Sequence, residues 1–241
     1  MRHNRIGFSG RFWHPPILAY HRVRPEPGSD SPTISPEIFE KQMAILRKKW
    51  KPIPLVELVQ RLEKKQPWDR RVVVVTFDDG TEDNFTHAFP ILMRYQIPAT
   101  IFVIVDDIGK SGQLKSAQMQ EMAAGGISFG SHTLHHAYLP SVSIDYARRE
   151  IFESKKKLES FGFSSETISY PAGGFSETVI QEVQKAGYVG ACTTNRGFRQ
   201  FPVDRWALRR VTMHANATTS FGMWLRCCGY YGFNRRLRAP S

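Results

Sequence analysis

Two adjacent carboxylates, Asp78 and Asp79, sit directly behind a run of valines in the segment Val72-Val73-Val74-Val75-Thr76-Phe77-Asp78-Asp79-Gly80. Unbroken β-branched residues suit a strand buried on both faces. Anionic groups at the end of such a strand are costly unless a cation compensates them. Further along, Ser131-His132-Thr133-Leu134-His135-His136 brings imidazoles together. His132 and His136, four residues apart, can turn both rings toward one ion, and His132 with His135 offers a second pairing. Two histidines and one carboxylate, with open positions for water, form a known catalytic zinc arrangement. Bound metal lowers the pKa of its water toward ~7. One aspartate can then hold metal while the other acts as base. Taken singly, Asp-Asp-Gly also reads as a turn and His-x3-His as a surface accident.

What favours a site is the placement of these groups in the chain. Helical and strand patterns alternate, which argues for α/β architecture with a mostly parallel sheet. Ile17 to Tyr20 reads as a first strand, Pro25 to Pro36 as a surface loop, and Phe39, Met43 and Leu46 mark one face of a helix. Pro54 reads as the first residue of a second helix reaching Leu62. After the valine strand come a helix over Phe85 to Tyr95 and a strand over Ala99 to Val105. Ser116 is expected to cap a helix that Gly125-Gly126 stops, and Ile127 to Ser131 is the next strand. Ser143 caps a helix carrying Ile144, Ala147, Ile151 and Leu158; Thr167 to Tyr170 is a strand, with the loop Pro171-Ala172-Gly173-Gly174 behind it. Ser176 caps a helix to Ala186, and Tyr188 to Cys192 is a late strand. Asp78 and Asp79, His132, and the Pro171 loop thus each follow a strand. Parallel barrels build their sites from such loops at the carboxyl ends of the strands.

The chain of 241 residues, 41% hydrophobic and 23% charged, is long enough for one large domain with a full core. No stretch approaches the ~20 apolar residues of a membrane-spanning helix. Its start, MRHNRIGFSGRFWHPP, has basic residues but no apolar run behind them. With no secretory signal read there, a cytoplasmic location is expected. Cys192, Cys227 and Cys228 make a poor disulfide framework and read as free thiols. The formal charge of +11 is spread along the chain, denser at Arg235, Arg236 and Arg238. It comes without a nucleic-acid motif, so no nucleic-acid partner is expected. The segment Phe221 to Tyr231 is rich in aromatics. It reads first as a helix closing the domain, and second as a face for peripheral contact with an anionic membrane.

Thr76-Phe77-Asp78-Asp79-Gly80 and His132-Thr133-Leu134-His135-His136 resemble the first two motifs of the polysaccharide deacetylase family, with its NodB homology domain. The resemblance spans roughly Ile17 to Val211. Tyr20-His21-Arg22-Val23, Ser35-Pro36-Glu37, Ala88-Phe89-Pro90-Ile91-Leu92 and Pro98-Ala99-Thr100 resemble its poly-N-acetylglucosamine deacetylase branch. The resemblance implies a single-domain, irregular (β/α)7-type barrel over residues 17–218, between an extension (1–16) and an aromatic, basic segment (219–241). It implies Asp79, His132 and His136 as ligands of a divalent metal, selecting His136 over His135. Zinc suits this mixed set best, and nickel, cobalt or iron also fit. It implies Asp78 as general base for metal-bound water attacking an N-acetyl group, with an N-acetylated glycan as partner. Deacetylation of acetyl esters or another small amide, or silent carbohydrate binding, are the alternatives.

Two departures from the family pattern set further expectations. The third motif usually carries an arginine where Ser169-Tyr170-Pro171-Ala172-Gly173 has Ser169. Arg209 or Arg210 is expected to supply that guanidinium to Asp78. The late histidine that protonates the leaving amine has its counterpart in His214, unusually close to Asp204-Arg205-Trp206. His21 either lines the site or is a structural histidine beneath it. Tyr170, Pro171, Gly173 and Arg210 join it as expected substrate-contacting groups.

Overall fold

In the computed structural model, which describes residues 15–26, 32–69, 71–194 and 204–227, the apolar runs become the staves of a parallel barrel. They are β1 (Ile17–Tyr20), β2 (Val72–Phe77), β3 (Ala99–Val103), β4 (Ser128–Ser131), β5 (Thr167–Ser169) and β6 (Gly190–Thr193). The ring is completed by β7 (Leu208–Arg209) and β8 (Val211–Thr212), two halves of one passage separated by Arg210. Arg209 lies opposite Thr193 of β6, and Val211 opposite Leu18 of β1. The passage therefore bridges the first and last staves into a nearly closed parallel barrel. Every residue of β2 is buried, as a strand covered on both faces requires.

The helices form the outer layer. They are α1 (Pro36–Lys49), α2 (Leu55–Glu63), α3 (Phe89–Tyr95), α4 (Ser116–Ala124), α5 (Ile144–Ser160), α6 (Glu177–Lys185) and α7 (Ser220–Cys227). Phe39, Met43 and Leu46 of α1 are fully buried. Phe39 packs with Tyr20 and Phe77, ring centroids 5.2 and 5.7 Å away, and so locks α1 to β1 and β2. Ser35, Ser143 and Ser176 cap α1, α5 and α6 by accepting a backbone N–H with the side-chain oxygen.

Several boundaries differ from expectation for local reasons. The Pro25–Pro36 loop contains a short strand, Thr33–Ile34, paired with Arg22–Val23. Pro54 is the N-cap of α2 rather than its first residue. Ser116 is the first residue of α4, not its cap; the Lys115 N–H is taken by the Gln118 side chain at 2.8 Å. The helix before β3 opens with a π-turn over Asn84–Ala88. Pro90 has no N–H for the Thr86 carbonyl, and the Phe89 N–H reaches back to Asn84. Ile144, expected on the apolar face of α5, is 39% exposed because it stands at the helix start.

The aromatic segment divides by face. Met223 is buried, and Arg226 donates to the Thr212 carbonyl at 3.1 Å, so one side of α7 packs on the barrel. Phe221 and Trp224 stack on each other and stay 68% and 47% exposed. Cys228 and the arginines at 235, 236 and 238 lie outside the described residues, as does the extension except at positions 15 and 16. No helix among the described residues is long and apolar enough to cross a membrane.

Candidate active site

The parallel register fixes which side chains meet at the carboxyl rim. Tyr20 lies opposite Phe77, and Ala19 lies opposite both Thr76 and Thr212. The ladder continues, since the Met213 N–H bonds the Ala19 carbonyl at 2.9 Å and the Asp78 N–H bonds the Tyr20 carbonyl at 3.0 Å. His214 follows β8 by two residues, its carbonyl accepting from Gln42 Nε2 at 3.1 Å. One further step in the register of β1 and β2 sets His21 beside Asp78, just past the ends of those strands. Accordingly His21 Nε2 lies 3.9 Å from Asp78 Oδ2. His21 Nδ1 is buried without a hydrogen-bond partner among the described residues.

Asp79, His132 and His136 offer ligand atoms that all lie within 4.8 Å of one another. Asp79 Oδ1 stands 3.7 Å from His132 Nε2 and 3.8 Å from His136 Nε2. These gaps are too long for hydrogen bonds. Two atoms each ~2.1 Å from one ion lie ~3.4 Å apart at a tetrahedral angle and ~4.2 Å apart in line, so both gaps fit a shared ion. His132 Nδ1 lies 2.8 Å from the Ser169 carbonyl, which can only accept. That contact puts the ring proton on Nδ1 and leaves Nε2 with a free lone pair on the side of Asp79. Burial also lowers the His132 pKa, favouring the neutral imidazole that binds metal. The donor set therefore fits a divalent metal.

The backbone around these ligands is held in sparsely populated geometry. Asp79 has φ 72° and His136 φ 61°, the left-handed region. Next to Asp79, Gly80 also has φ +68°, and a Cβ there would lie 2.6 Å from Val103 Cγ1. No side chain fits.

Asp78 is 1% exposed and faces Arg210 in a bidentate pair, with Nη1 to Oδ1 and Nη2 to Oδ2 both at 2.7 Å. Arg210 also donates to Ser169 Oγ at 2.8 Å and to Thr76 Oγ1 at 3.2 Å. The guanidinium thus comes from Arg210, not Arg209. Ser169, standing where an arginine was expected, is short enough to leave room for it. Burial alone would raise the Asp78 pKa, but the Arg210 charge and its hydrogen bonds hold it well below the ordinary carboxylate range.

Other expected site residues fall into place unequally. Tyr170 is fully buried and donates to the Trp206 carbonyl at 2.9 Å, so its side chain does not face a substrate. Burial pushes its phenol pKa up. Arg210, its side chain 0% exposed, likewise lies behind Asp78 rather than at the surface. Pro171 and Gly173 are buried and form a tight turn after β5. At Gly173, with φ +74°, a Cβ would meet Thr194 Oγ1 at 2.2 Å. His135 points away from the ligands and pairs with Asp106 and Glu150. The sequence reading missed Glu150, whose signal is a charge on the buried stripe of α5 with Ala147, Ile151 and Leu158.

A family model described as polysaccharide deacetylase matches residues 65–191. The chain belongs to the polysaccharide deacetylase family. It is 32% identical over 213 residues to YxkH of Bacillus subtilis, itself named for that family, spanning 87% of this chain and 75% of that protein. It is 28% identical over 170 residues to the poly-beta-1,6-N-acetyl-D-glucosamine N-deacetylase of Staphylococcus aureus, spanning 64% of this chain and 59% of that enzyme. Among solved structures, the Streptococcus pyogenes deacetylase PplD in complex with acetate matches with a TM-score of 0.82. That match has 27% identity and covers 89% of this chain and 99% of the other. IcaB from Ammonifex degensii matches with a TM-score of 0.79 at 24% identity, over 89% of this chain and 98% of that one, a likeness of fold. The irregular (β/α)7-type barrel expected from the resemblance is the fold observed.

Proposed function

We propose that this family member is a metal-dependent N-deacetylase acting on N-acetylglucosamine units of a polysaccharide or glycoconjugate. One observation carries the reading: Asp79, His132 and His136 converge on a shared point beside an ionised Asp78 held by Arg210. The similarity to the S. aureus enzyme supports the choice of sugar, although the chain spans only 59% of that enzyme.

When bound, a divalent metal would polarise the acetamide carbonyl and bring the pKa of water toward ~7. Asp79 Oδ1 and the Nε2 atoms of His132 and His136 are the groups that would hold it. Zinc suits them best, with nickel, cobalt or iron as other candidates. Asp78 takes the proton of the attacking water. A carboxylate so strongly paired is a weak base, suited to water already made acidic. Arg210 keeps Asp78 ionised and aimed. His214, two residues beyond β8, donates a proton to the departing amine. His21, its Nε2 3.9 Å from Asp78 Oδ2, lines the acetyl-binding floor.

The test is acetate release from a panel of N-acetylglucosamine oligomers and acetyl esters, with and without chelator. Release that survives both chelation and Asp78→Asn would overturn the mechanism. Preference for esters would move the substrate class. Wild-type rates in His214→Ala would remove that residue from the reaction. The exposed Phe221 and Trp224 support a second proposal, peripheral contact with an anionic membrane. Failure to float with anionic vesicles would end it.

A further inference from the structure

The link from His132 to His136 bends twice against the preference of L-residues, since Thr133 and His136 have φ 64° and 61°. Some contact must hold it there. On the side away from the ligands, Glu150 projects from α5 with 1% of its surface exposed. Its Oε2 accepts the backbone N–H of Leu134 at 3.0 Å and of His135 at 2.8 Å. Its Oε1 lies 2.6 Å from His135 Nδ1. Opposite, the Val105 and Asp106 N–H groups bond the Thr133 and Leu134 carbonyls at 3.1 and 3.0 Å. The Asp106 carboxylate meets His135 Nε2 at 2.9 Å and Lys157 Nζ at 2.6 Å. The link is therefore gripped from both sides, and Glu150 makes the charge-assisted bonds to its backbone.

We propose that Glu150 is a positioning residue for the metal site. It presets the left-handed His136 so that Nε2 faces Asp79 Oδ1 without help from the ion. The inference rests on reading Asp79, His132 and His136 as metal ligands. Outer partners of ligating residues typically change metal affinity about 10–100-fold. Here the partner acts on the ligand's backbone rather than on its ring. His135 serves as the side-chain bridge of the same grip, which explains why it is withheld from the metal.

Cobalt(II) is the probe, added to the metal-free full chain. Its dissociation constant is read by chelator competition and its coordination by visible absorption, with circular dichroism reporting the fold. Glu150→Ala is expected to weaken cobalt about 10–100-fold and to alter the absorption bands. Glu150→Gln, which keeps an oxygen for the two N–H groups, should recover most of that loss. A folded Glu150→Ala that binds within about threefold of wild type, with unchanged bands, overturns the proposal. So does a Glu150→Gln as weak as the alanine variant. Should Glu150→Ala fail to fold, Glu150→Asp carries the test by withdrawing the carboxylate one methylene. Wild-type affinity there overturns the proposal, and weakened binding supports it. Wild-type protein that binds no cobalt, or Asp79→Ala that binds it equally, strikes the metal-site reading itself and the proposal with it.

Discussion

Two clusters of carboxylates and imidazoles, their histidines within five residues of each other, behave oppositely. In the first, Asp79 Oδ1 stands 3.7 and 3.8 Å from the His132 and His136 nitrogens. In the second, His135 meets Asp106 and Glu150 at 2.9 and 2.6 Å. The second is closed: each ring nitrogen has an anionic partner, and Asp106 and Glu150 have further donors in Lys157 and two backbone N–H groups. The first is open, because its donor atoms converge without touching. Residue type does not separate a metal site from an ion-pair cluster; the unmet distance does.

The largest effect expected from this contrast sets His136→Ala against His135→Ala. His136→Ala should lose stoichiometric metal, and acetate release should fall to the level of Asp79→Ala. His135→Ala removes one contact of the supporting grip and should keep metal and activity within about tenfold. Inductively coupled plasma analysis of the purified variants, with acetate assays beside it, decides. Equal metal loss in both would erase the distinction between the clusters.

Asp78→Asn separates the open cluster from the base beside it. Metal content should stay at the wild-type level while kcat falls about 10²–10⁴-fold, the usual worth of a general base. A variant that loses metal would make Asp78 a ligand instead.

Arg210 links the site to the fold itself. Replacing it by Met leaves a buried carboxylate unpaired, which typically costs about 3–5 kcal/mol. Urea unfolding of metal-free protein should show this, and the double variant with Asp78→Asn should recover part of it. Equal stability of Arg210→Met and wild type would mean that Asp78 takes up a proton or finds water instead.

These comparisons also mark where sequence reasoning ran short. Asp78 and Asp79 were legible because they follow the apolar run Val72–Val75, and His132 because the Gly125-Gly126 stop and the following segment Ile127–Ser131 marked a strand before it. Arg210 was narrowed to a pair with Arg209, since a missing charge at Ser169 had to be answered by another. The choice fell to Arg210 because it occupies the step between β7 and β8, where the passage switches partner from β6 to β1. That switch leaves no local pattern. His135 and His136 could not be told apart by spacing alone. The decision lies in Glu150 and Asp106, which arrive from α5 and from the loop after β3. The direction of Tyr170 was not legible because a strand-end aromatic beside the site loop can face either way, and here it packs among Ala147, Ile151, Val179 and Val183 of the helical layer with its hydroxyl on the Trp206 carbonyl.

The smallest effect concerns the closed cluster under acid. Asp106 has its pKa lowered from the ordinary 3.8, first by its hydrogen bond from Lys157, with His135 contributing its charge. A carboxylate lowered on folding adds stability that is full above its unfolded value and fades as pH falls through its folded value. The contribution should therefore be complete at pH 5 and above and decline below about pH 4. Asp106→Asn removes this titration. In metal-free protein, its melting temperature should fall less steeply than wild type between about pH 5 and pH 2. Asp106 is partly exposed, so the difference in slope should be modest. Identical slopes would show that the closed cluster holds its link through Glu150 and the backbone bonds alone, with the Asp106–Lys157 pair contributing nothing.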